Sequence, residues 1–430
     1  MTFKVINFGC KVNTYESTYL EEVFLSEGYT EASSMDDADL IVVNTCSVTN
    51  VADSKCKKFI RRIKRENSNA IIIACGCSVQ NNFDEYDNMD VDILTGTTNK
   101  AKIPVLIKEY LFNKEKIRLF DNNRKQPFEN MFVERFKKHT RAFIKVQDGC
   151  DNFCSYCCIP LVRGSIRSKD FNEVIDEAKK LADNGHKEIV LVGIHTGSYN
   201  DNGKDLFDLI DEISKIDDIL RIRISSIEIT ELNDKFLNLL KNNKKIVNHL
   251  HIPLQAGSDE VLKIMNRKYD LDYFLNKINK IRSIRPDINI TTDVIVGHPY
   301  ETDGLFDSTI EFCKKIEFGK IHVFPYSKRN NTKACLMPNQ VDEKDKKERS
   351  NKLIRVSDIL EEKYYSKFTN KEMYIITETN HQNEIVGFTE NYIKVIIDNP
   401  EDLKANMYIK VKLLNKENDY MHALYIKDEN

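Results

Sequence analysis

The sequence contains no run of about 18 apolar residues, the length that a membrane-spanning helix needs. Its first residues, MTFKVINFGCKVN, have neither the basic end nor the apolar stretch of a signal peptide. We therefore expect a cytoplasmic protein without a membrane partner. Because the cytoplasm is reducing, we expect the 11 cysteines to be metal ligands, catalytic groups or buried apolar residues rather than disulfides.

The chain also lacks an excess of charge of either sign, with a formal net charge of -3. This balance gives no global sign of nucleic-acid binding, so an RNA contact would have to come from a local basic patch such as residues 55–65 (KCKKFIRRIKR). Such a run is also typical of a solvated helix face. The length of 430 residues and the hydrophobic fraction of 41% are those of a globular protein of several domains.

The most informative motif is a cysteine triplet with the spacing C-x-x-x-C-x-x-C, formed by Cys150, Cys154 and Cys157 and called here the loop triplet. A 4Fe-4S cluster normally takes one thiolate per iron, so three thiolates leave one iron open for a ligand that is not protein. Cys154 and Cys157 alone would also fit half of a zinc knuckle or a thioredoxin-like pair. Cys150, which follows a predicted strand and stands four residues before Cys154, favours a cluster over these two alternatives.

Residues 1–125 alternate short apolar runs with amphipathic segments, which predicts a doubly wound α/β domain. The predicted parallel strands are residues 4–8, 40–44, 70–74 and 91–94, and the main helices are residues 15–26 and 51–66. Cys10, Cys46 and Cys77, called here the strand-end triplet, follow the first three strands. Ligands gather at the carboxyl ends of parallel strands, so these thiols are placed to converge. Their wide spacing in the sequence is by itself more typical of buried apolar cysteines.

Residues 136–366 predict a partial (β/α)6 barrel, because six β-rich runs alternate with helical patterns. The six runs are residues 142–146, 188–192, 220–224, 250–253, 290–296 and 321–324. Functional residues of such barrels lie at the carboxyl ends of the strands, and the loop triplet follows the first strand. A charged linker at residues 113–140 precedes this domain, and a connecting helix at residues 341–368 ends it. Residues 367–430 contain short strand-like runs between polar turns, which predict a small all-β barrel.

Along essentially its whole length the sequence resembles the radical S-adenosylmethionine methylthiotransferases, and its last part resembles their RNA-binding TRAM domain. The motifs that carry the resemblance are GCKVN (9–13), NTCSVT (44–49), GCSVQ (76–80), RAFIKVQDGC (141–150) with the rest of the loop triplet, GIHTG (193–197), RISSIE (223–228), HIPLQ (251–255), TDVIVG (292–297) and HVFPYS (322–327).

The resemblance implies that the loop triplet holds the 4Fe-4S cluster that binds S-adenosylmethionine at its open iron and, after reduction, releases a 5'-deoxyadenosyl radical. It implies that the strand-end triplet holds a second, auxiliary 4Fe-4S cluster that carries the sulfur to be transferred, with both open irons facing one pocket. Glu188, Glu228 and Gln255 are candidate contacts to the cofactor, although Glu188 would also fit a surface carboxylate at a strand start. The other cysteines are expected to be structural: Cys56, Cys75, Cys158, Cys313 and Cys335.

The substrate depends on other motifs, because enzymes with different targets share the barrel and both triplets. GCKVN, GIHTG and GFTENY (387–392) most resemble the branch that adds a methylthio group at carbon 2 of N6-threonylcarbamoyladenosine, beside the tRNA anticodon. The resemblance implies a tRNA anticodon stem-loop as partner, an electron donor such as a flavodoxin or ferredoxin, and a monomeric protein. Arg163, Arg223 and His298 are candidates to bind the polar threonylcarbamoyl group, and His298 replaces a more common phenylalanine. Arg163 and Arg167 would alternatively bind phosphate or pair with nearby carboxylates.

Three alternatives remain open from the sequence. The isopentenyladenosine branch of the same family would need an apolar pocket for its substrate. The ribosomal-protein branch attacks an aspartate β-carbon instead of RNA. An iron-sulfur or zinc-structured RNA-binding protein without catalysis would not cleave S-adenosylmethionine, and it would leave the open-iron spacing of the loop triplet unexplained.

Overall fold

The structure is a computed structural model that describes residues 1–47, 49–122, 126–379, 384–398 and 403–427. Val48, within the NTCSVT motif, lies outside the described residues, as do the last three residues of the predicted C-terminal domain. In the described ranges, no helix combines the length and the apolar character that crossing a bilayer requires.

The N-terminal part is a parallel six-stranded sheet with the strand order β2-β1-β3-β4-β5-β6. Its strands are β1 (Thr2–Asn7), β2 (Thr30–Glu31), β3 (Leu40–Thr45), β4 (Ile71–Gly76), β5 (Ile93–Thr95) and β6 (Ile117–Leu119). Its helices are α1 (Lys11–Ser26), α2 (Asn50–Glu66), α3 (Cys77–Asn81), α4 (Phe83–Asp87) and α5 (Ile103–Asn113).

Two hydrophobic cores cover the two faces of this sheet. Leu40 and Val42 on β3 pack in the core that contains α1 and α5, and Ile41 and Val43 pack in the core that contains α2. A strand that is buried on both faces reads as a continuous apolar run, which is why the LIVV run predicts it. The doubly wound fold is confirmed, with the fourth predicted strand beginning two residues later than expected, at Ile93.

The central part is a partial barrel whose six main strands run parallel in two sheets of three. The strands are β7 (Ala142–Lys145), β8 (Gln147–Asp148), β9 (Arg167–Ser168), β10 (Glu188–Val192), β11 (Asn200–Asp201), β12 (Lys204–Asp205), β13 (Arg221–Ile224), β14 (His249–His251), β15 (Asn289–Val296) and β16 (Lys320–Pro325). The sheets β7-β10-β13 and β14-β15-β16 are joined by a parallel bridge between Ile222 and Ile246. The predicted (β/α)6 arrangement is therefore confirmed.

Helices follow most of the barrel strands and enclose them. They are α6 (Ile159–Val162), α7 (Phe171–Asp183), α8 (Leu206–Ile213), α9 (Asp234–Asn242), α10 (Asp259–Ile264), α11 (Leu271–Ile284), α12 (Asp303–Ile316), α13 (Lys333–Leu336) and α14 (Glu343–Ser366). Side-chain caps begin several of them, as at α8, where Asp205 and Asp208 form a reciprocal capping box.

The predicted linker is more closely packed than its charged sequence indicates. Its residues Met131, Val133 and Phe136 are buried in the core of the central barrel. The Tyr15 hydroxyl on α1 also donates a 2.6 Å hydrogen bond to the Met131 carbonyl. These buried contacts show that the segment attaches the N-terminal sheet to the barrel instead of separating the two.

The C-terminal part is a closed barrel with the strand order β17-β18-β19-β21-β20, which confirms the predicted small all-β fold. Its strands are β17 (Glu372–Thr379), β18 (Ile385–Thr389), β19 (Lys394–Ile397), β20 (Tyr408–Glu417) and β21 (Tyr420–Tyr425). The barrel docks on the central part, where the Arg221 guanidinium donates to the Phe388 carbonyl at 2.8 Å and the Asn289 amide donates to the Asn391 carbonyl at 2.8 Å. These contacts place the turn after β18 over the strands of the central barrel.

Candidate active site

The loop triplet lies between β8 and α6, at the carboxyl end of the first barrel strand. Its three cysteines are partly exposed and form no disulfide. Two backbone hydrogen bonds shape the loop: the Cys150 N–H donates to the Gly164 carbonyl at 3.0 Å, and the Cys157 N–H donates to the Cys154 carbonyl at 3.0 Å. Burial raises the pKa of the Cys157 thiol, so this group stays protonated until a metal displaces the proton.

His298 supports this loop from the protein interior. Its side chain is fully buried, and burial lowers its pKa to about 4, so the ring is neutral near pH 7. Its Nε2 lies 3.1 Å from the Oγ of Ser155, which is within the loop, and the ring contacts Tyr156 and Tyr326 edge-on. His298 therefore supports the loop triplet, and its buried ring is not placed to bind a substrate.

Glu228 is linked to the loop triplet by Arg267, which contacts both Glu228 and Cys154. The Nη1 of Arg267 donates to the Cys154 sulfur at 3.4 Å, and its Nη2 pairs with the Glu228 carboxylate. Gln255 follows β14 with a φ of 68°, and its N–H donates to the Asp293 carbonyl at 2.8 Å. Both residues lie beyond strand carboxyl ends, as the sequence indicates, and their contact with S-adenosylmethionine stays a prediction.

Glu188 does not lie near the loop triplet. It is the first residue of β10, at the amino end of a barrel strand, and it is only 1% exposed. Its carboxylate accepts a hydrogen bond from the Arg223 Nε at 2.8 Å and lies 3.7 Å from Arg221. A contact between Glu188 and the methionine amino group does not fit this position, and neither does a surface carboxylate. The residue is one partner of a buried ion pair.

The strand-end triplet gathers at the carboxyl edge of the N-terminal sheet. Cys10 caps the start of α1, Cys46 follows β3, and Cys77 begins α3. A Cβ added at Gly9 would lie 2.5 Å from the Cys46 sulfur, so the chain beside Cys10 approaches Cys46 closely. Arg163 interacts electrostatically with both Cys77 and Cys10. Three cysteines far apart in the sequence are therefore neighbours in space.

Replacing Gly9 by alanine is expected to remove the auxiliary cluster. Gly9 has a φ of +106°, which strains a residue with a Cβ, and the new methyl group would collide with the Cys46 sulfur. The variant should lose about four of the roughly eight irons per reconstituted chain. Its free energy of unfolding should fall by about 1–3 kcal/mol, measured by urea denaturation.

Gly28→Ala is the matched control for that variant. Gly28 also has a positive φ, +85°, but nothing lies within 4 Å of its added Cβ. Strain without a collision should lower stability and leave the iron content unchanged. Equal iron contents in the two variants would contradict a cluster at Cys46.

Arg163 joins the two triplets. It follows α6, shortly after the loop triplet, and is fully buried. Its Nε donates to the Cys77 sulfur at 3.2 Å, and its Nη2 donates to the Asn13 Oδ1 at 2.9 Å. Its Nη1 lies 3.1 Å from both the Glu16 and the Asp148 carboxylates. Arg163 is therefore occupied by protein partners, and it is not free to bind phosphate or a threonylcarbamoyl group.

Glu16 and Asp148 belong to a buried charge network between the N-terminal sheet and the barrel. The cations of this network are Lys100, Lys145, Arg163 and Arg167. Burial by itself raises the pKa of both carboxyls, but the surrounding cations outweigh it and lower the pKa of each below its ordinary value. Both carboxylates stay ionised. The excess of positive charge lies beside Cys77, where a cluster bound by thiolates would balance it.

The chemistry of the two donor sets, three thiols each, fits iron-sulfur clusters, in which each cysteine binds a different iron. Each triplet also has an arginine that donates to one sulfur, Arg267 to Cys154 and Arg163 to Cys77. Such hydrogen bonds help to set cluster potentials.

A cavity of about 1120 Å³ lies where the three parts of the chain meet. Cys10 and Lys11 line it from the N-terminal part, and Phe388 and Tyr392 line it from the C-terminal barrel. The barrel strands contribute polar side chains to its lining: Ser225, Ser226, His249, His251, Thr291, Asp293 and His322. Ile159, two residues after Cys157, is also part of the lining, whereas Cys154 of the loop triplet lines a separate small pocket together with Glu228 and Arg267.

Tyr392 is one of the residues of this cavity that the sequence analysis did not identify, together with Lys11 and His249. Its ring stacks on His249 at 4.8 Å and on Phe388 at 4.7 Å, and Arg141 donates to its hydroxyl at 3.1 Å. The backbone is left-handed, with a φ of 65°, which is uncommon for a bulky side chain. The GFTENY motif contains Tyr392, but no pattern indicates that the C-terminal barrel inserts this ring into the central one.

Four of the five remaining cysteines are buried, and their structural role stays a prediction. Cys56, Cys75, Cys158 and Cys313 are buried and Cys335 is partly exposed. Burial raises the pKa of Cys75 and of Cys313 to about 12 each, so both are neutral thiols. Cys158 packs against Cys77 and Val162, next to the triplets but on the buried side of the loop.

The basic run at residues 55–65 forms part of α2. Lys57 is buried and pairs with Asp53 and Glu85, each at 2.7 Å. The exposed cations of the run are Lys55, Lys58, Arg61, Arg62 and Arg65. The helix therefore combines one structural lysine with a solvated basic face.

Two family models match the chain. Residues 2–96 match "Uncharacterized protein family UPF0004", and residues 144–313 match "Radical SAM superfamily". The first match lies within the N-terminal sheet domain, and the second covers most of the barrel. Both lie inside the predicted domains 1–125 and 136–366, whose boundaries stay a prediction.

Curated relatives match over almost the full length. The threonylcarbamoyladenosine tRNA methylthiotransferase MtaB of Bacillus subtilis is 41% identical, over 97% of this chain and 95% of that protein. The protein of the same name from Thermotoga maritima is 38% identical over 91% and 90%. The tRNA-2-methylthio-N(6)-dimethylallyladenosine synthase of Bacillus subtilis is 31% identical over 96% and 83%.

A solved structure supports the fold. The radical S-adenosylmethionine methyltransferase TsrM from Kitasatospora setae superposes with a TM-score of 0.55 at 13% identity, over 75% of this chain and 72% of that one. Identity in this range supports the fold alone, whereas the full-length relatives at 31–41% identity share sequence in all three parts. The chain therefore belongs to the methylthiotransferase family of radical S-adenosylmethionine enzymes.

Proposed function

We propose that this protein converts N6-threonylcarbamoyladenosine, beside the anticodon of tRNA, to its 2-methylthio derivative. The observation that carries the proposal is the similarity over almost the full length to two proteins named threonylcarbamoyladenosine tRNA methylthiotransferase, at 41% and 38% identity, against 31% for the dimethylallyladenosine synthase of Bacillus subtilis. The cavity next to Cys10 has apolar and polar side chains in its lining, and its polar groups include Lys11 and His249. These polar groups suit a charged substituent on the base.

As a member of this family the protein uses S-adenosylmethionine and 4Fe-4S clusters. When bound, these groups would supply the radical, the methyl group and the sulfur. We assign the S-adenosylmethionine cluster to Cys150, Cys154 and Cys157, and the auxiliary cluster to the strand-end triplet. Arg163 and its network hold the two loops together, and His298 fixes the loop triplet from below.

The chemistry at carbon 2 explains why a radical cofactor is needed. The C–H bond at this position is not acidic, so no histidine or carboxylate of the cavity would remove the proton. His249 is buried, and burial lowers its pKa well below the ordinary value. Its neutral ring is suited to orient a base by stacking and hydrogen bonding. The polar residues of the cavity therefore position the nucleotide and do not act as acid or base catalysts.

The tRNA assignment is tested by nucleoside mass spectrometry. tRNA from cells with and without the gene is digested, and the 2-methylthio forms of threonylcarbamoyladenosine and isopentenyladenosine are both quantified. We expect the first to disappear without the gene and to return when the gene is restored, with the second unchanged. Loss of the isopentenyl form alone would assign the chain to the other tRNA branch. Unchanged nucleosides would remove tRNA as the substrate.

The partners follow from the same proposal. The substrate would be the anticodon stem-loop, with RNA contacts from the C-terminal barrel and from the exposed basic face of α2. The electron donor would be a flavodoxin or a ferredoxin. We propose that the protein works as a monomer in the cytoplasm, where its tRNA substrate is found.

A further inference from the structure

The wall of the cavity beside Cys10 carries a lysine without a counter-charge. Lys11 is exposed to the cavity, and it has no hydrogen-bond or ion-pair partner in the part of the chain that the structure describes. Most other cations of this region are paired: Arg141 lies 3.1 Å from Glu378, and Arg223 lies 2.8 Å from Glu188. Lys11 is therefore available to a ligand.

Arg223 lies directly beneath this wall with one donor group unused. Its Nε donates to Glu188 and its Nη1 donates to the His249 Nδ1 at 3.1 Å. Its Nη2 is buried and has no partner among the described residues. The guanidinium also lies 4.5 Å from the centre of the Tyr392 ring, which lines the cavity. Glu188 offsets the charge of Arg223, and the Nη2 group remains as a buried donor that costs free energy while it has no acceptor.

His249 contributes orientation and no charge to this wall. Arginine only donates hydrogen bonds, so the His249 Nδ1 accepts, and Nε2 then carries the hydrogen that it donates to the Thr291 Oγ1 at 3.0 Å. The ring stacks on Tyr392 with an interplanar angle of 26°. His249 and Tyr392 thus form a flat surface between Arg223 and the cavity, with Lys11 at its edge.

The Tyr392 hydroxyl lies among three cations. Burial by itself raises the pKa of the Tyr392 hydroxyl, but Arg141, Lys11 and Arg223 outweigh it and lower that pKa. Three cations thus act on one hydroxyl, and the carboxylates that pair with them are Glu188 and Glu378. These two carboxylates pair with Arg141 and Arg223, so Lys11 remains the cation that an anionic group of a bound nucleotide could contact.

We propose that Lys11, with Arg223 behind the His249 and Tyr392 rings, binds the carboxylate of the threonylcarbamoyl group. This inference rests on the proposed function and names the residues that select its substrate. Because Lys11 follows Cys10 directly, a base whose carbon 2 faces the strand-end triplet would have its N6 substituent within reach of the lysine. The uncharged dimethylallyl group would gain nothing from this site.

The test compares two anticodon stem-loops that differ only in this charge. One carries threonylcarbamoyladenosine and the other carries its carboxyl methyl ester, so the phosphates are identical. Binding to the full reconstituted chain is measured as Kd, and the methylthio product is quantified separately by mass spectrometry. The wild type should bind the acid about 10- to 100-fold more tightly than the ester, the range of a charge-assisted contact in a low-dielectric site.

Lys11→Gln should reduce this preference to about threefold or less, because most of it would come from the direct contact. Lys108→Gln is the matched control: it is the same change in the same part of the chain, at an exposed lysine that pairs with Glu27 at 3.0 Å. This control should keep the wild-type preference. Iron content of each variant is measured to verify that both triplets remain loaded.

Any one of three results would contradict the carboxylate site. The first is equal binding of the acid and the ester by the wild type, and the second is a full preference for the acid in Lys11→Gln. The third is equally weakened binding of both RNAs by Lys11→Gln, which would assign Lys11 to a phosphate. The amount of methylthio product distinguishes a failure of the carboxylate site from a failure of the proposed function. Methylthio product without a preference for the acid removes only the carboxylate site, and a preference without product removes only the enzymatic assignment.

Discussion

Cys150→Ala is expected to abolish formation of 5'-deoxyadenosine, whereas Cys10→Ala is expected to preserve it and to abolish methylthio transfer. The two cysteines belong to different triplets on different parts of the chain, and in this interpretation only the loop triplet binds S-adenosylmethionine. Each variant should hold about four irons per chain, against about eight in the parent protein. Anaerobic reconstitution, iron analysis and chromatography of 5'-deoxyadenosine after reduction measure both effects.

Cys158→Ala is the control for these variants, since Cys158 adjoins Cys157 but packs on the buried side of the loop. It should keep all the iron and both activities. Loss of 5'-deoxyadenosine in Cys10→Ala would show that the two triplets are not independent. Loss of iron in Cys158→Ala would make that cysteine a ligand and would remove the assignment of Cys157.

Arg163→Met should destabilise the protein by about 3 kcal/mol, because it removes one of the two cations that the buried carboxylates of Glu16 and Asp148 share, the other being Lys145. It also removes the hydrogen bond to the Cys77 sulfur. Arg163→Lys should recover part of the stability, since lysine restores the charge but not the fork that reaches four partners at once. Urea denaturation gives the free energies of unfolding, and the absorption spectrum of the reconstituted auxiliary cluster reports the change at Cys77.

The surface pair of Arg62 with Glu66 provides the matched control. Their nitrogen and oxygen lie 3.2 Å apart, and both side chains are about half exposed, so Arg62→Met should change stability by less than about 0.5 kcal/mol. A loss below about 1 kcal/mol in Arg163→Met, with an unaltered spectrum, would contradict the role of the network.

The same buried charge network should make the free energy of unfolding depend on pH. The cations around Glu16 and Asp148 outweigh the effect of burial and lower the pKa of both carboxyls below their unfolded values of about 4. Their stabilisation is therefore complete above that pH and is lost as the pH falls below it. Arg163→Met should show a weaker acid dependence than the wild type.

Features that are local in sequence were predictable. The loop triplet is defined by its spacing and by the strand that precedes it, and the apolar runs of the parallel sheet and of the barrel give nearly the observed strands. The strand-end triplet was less evident, since only the resemblance distinguished its cysteines from buried apolar ones. The close approach of Gly9 to Cys46 supplies the physical reason for the glycine beside Cys10.

Features that depend on how the three parts pack together were not predictable. Asn13 and Arg163 are 150 residues apart, and Arg163 meets Cys77 only because the N-terminal sheet docks on the barrel. Tyr392 enters the cavity through the docking of the C-terminal barrel. Glu188 was misassigned for a different reason: its buried carboxylate is held by Arg223 of the neighbouring strand β13, and a contact between strands so far apart in sequence leaves no local pattern.

The most direct test uses an anticodon stem-loop with deuterium at carbon 2 of its threonylcarbamoyladenosine. If the loop triplet and the strand-end triplet serve one nucleotide in the shared cavity, the deuterium will be recovered in 5'-deoxyadenosine as the methylthio group appears on the same base. Methylthio product formed without deuterium in the 5'-deoxyadenosine would contradict a common site for the two triplets.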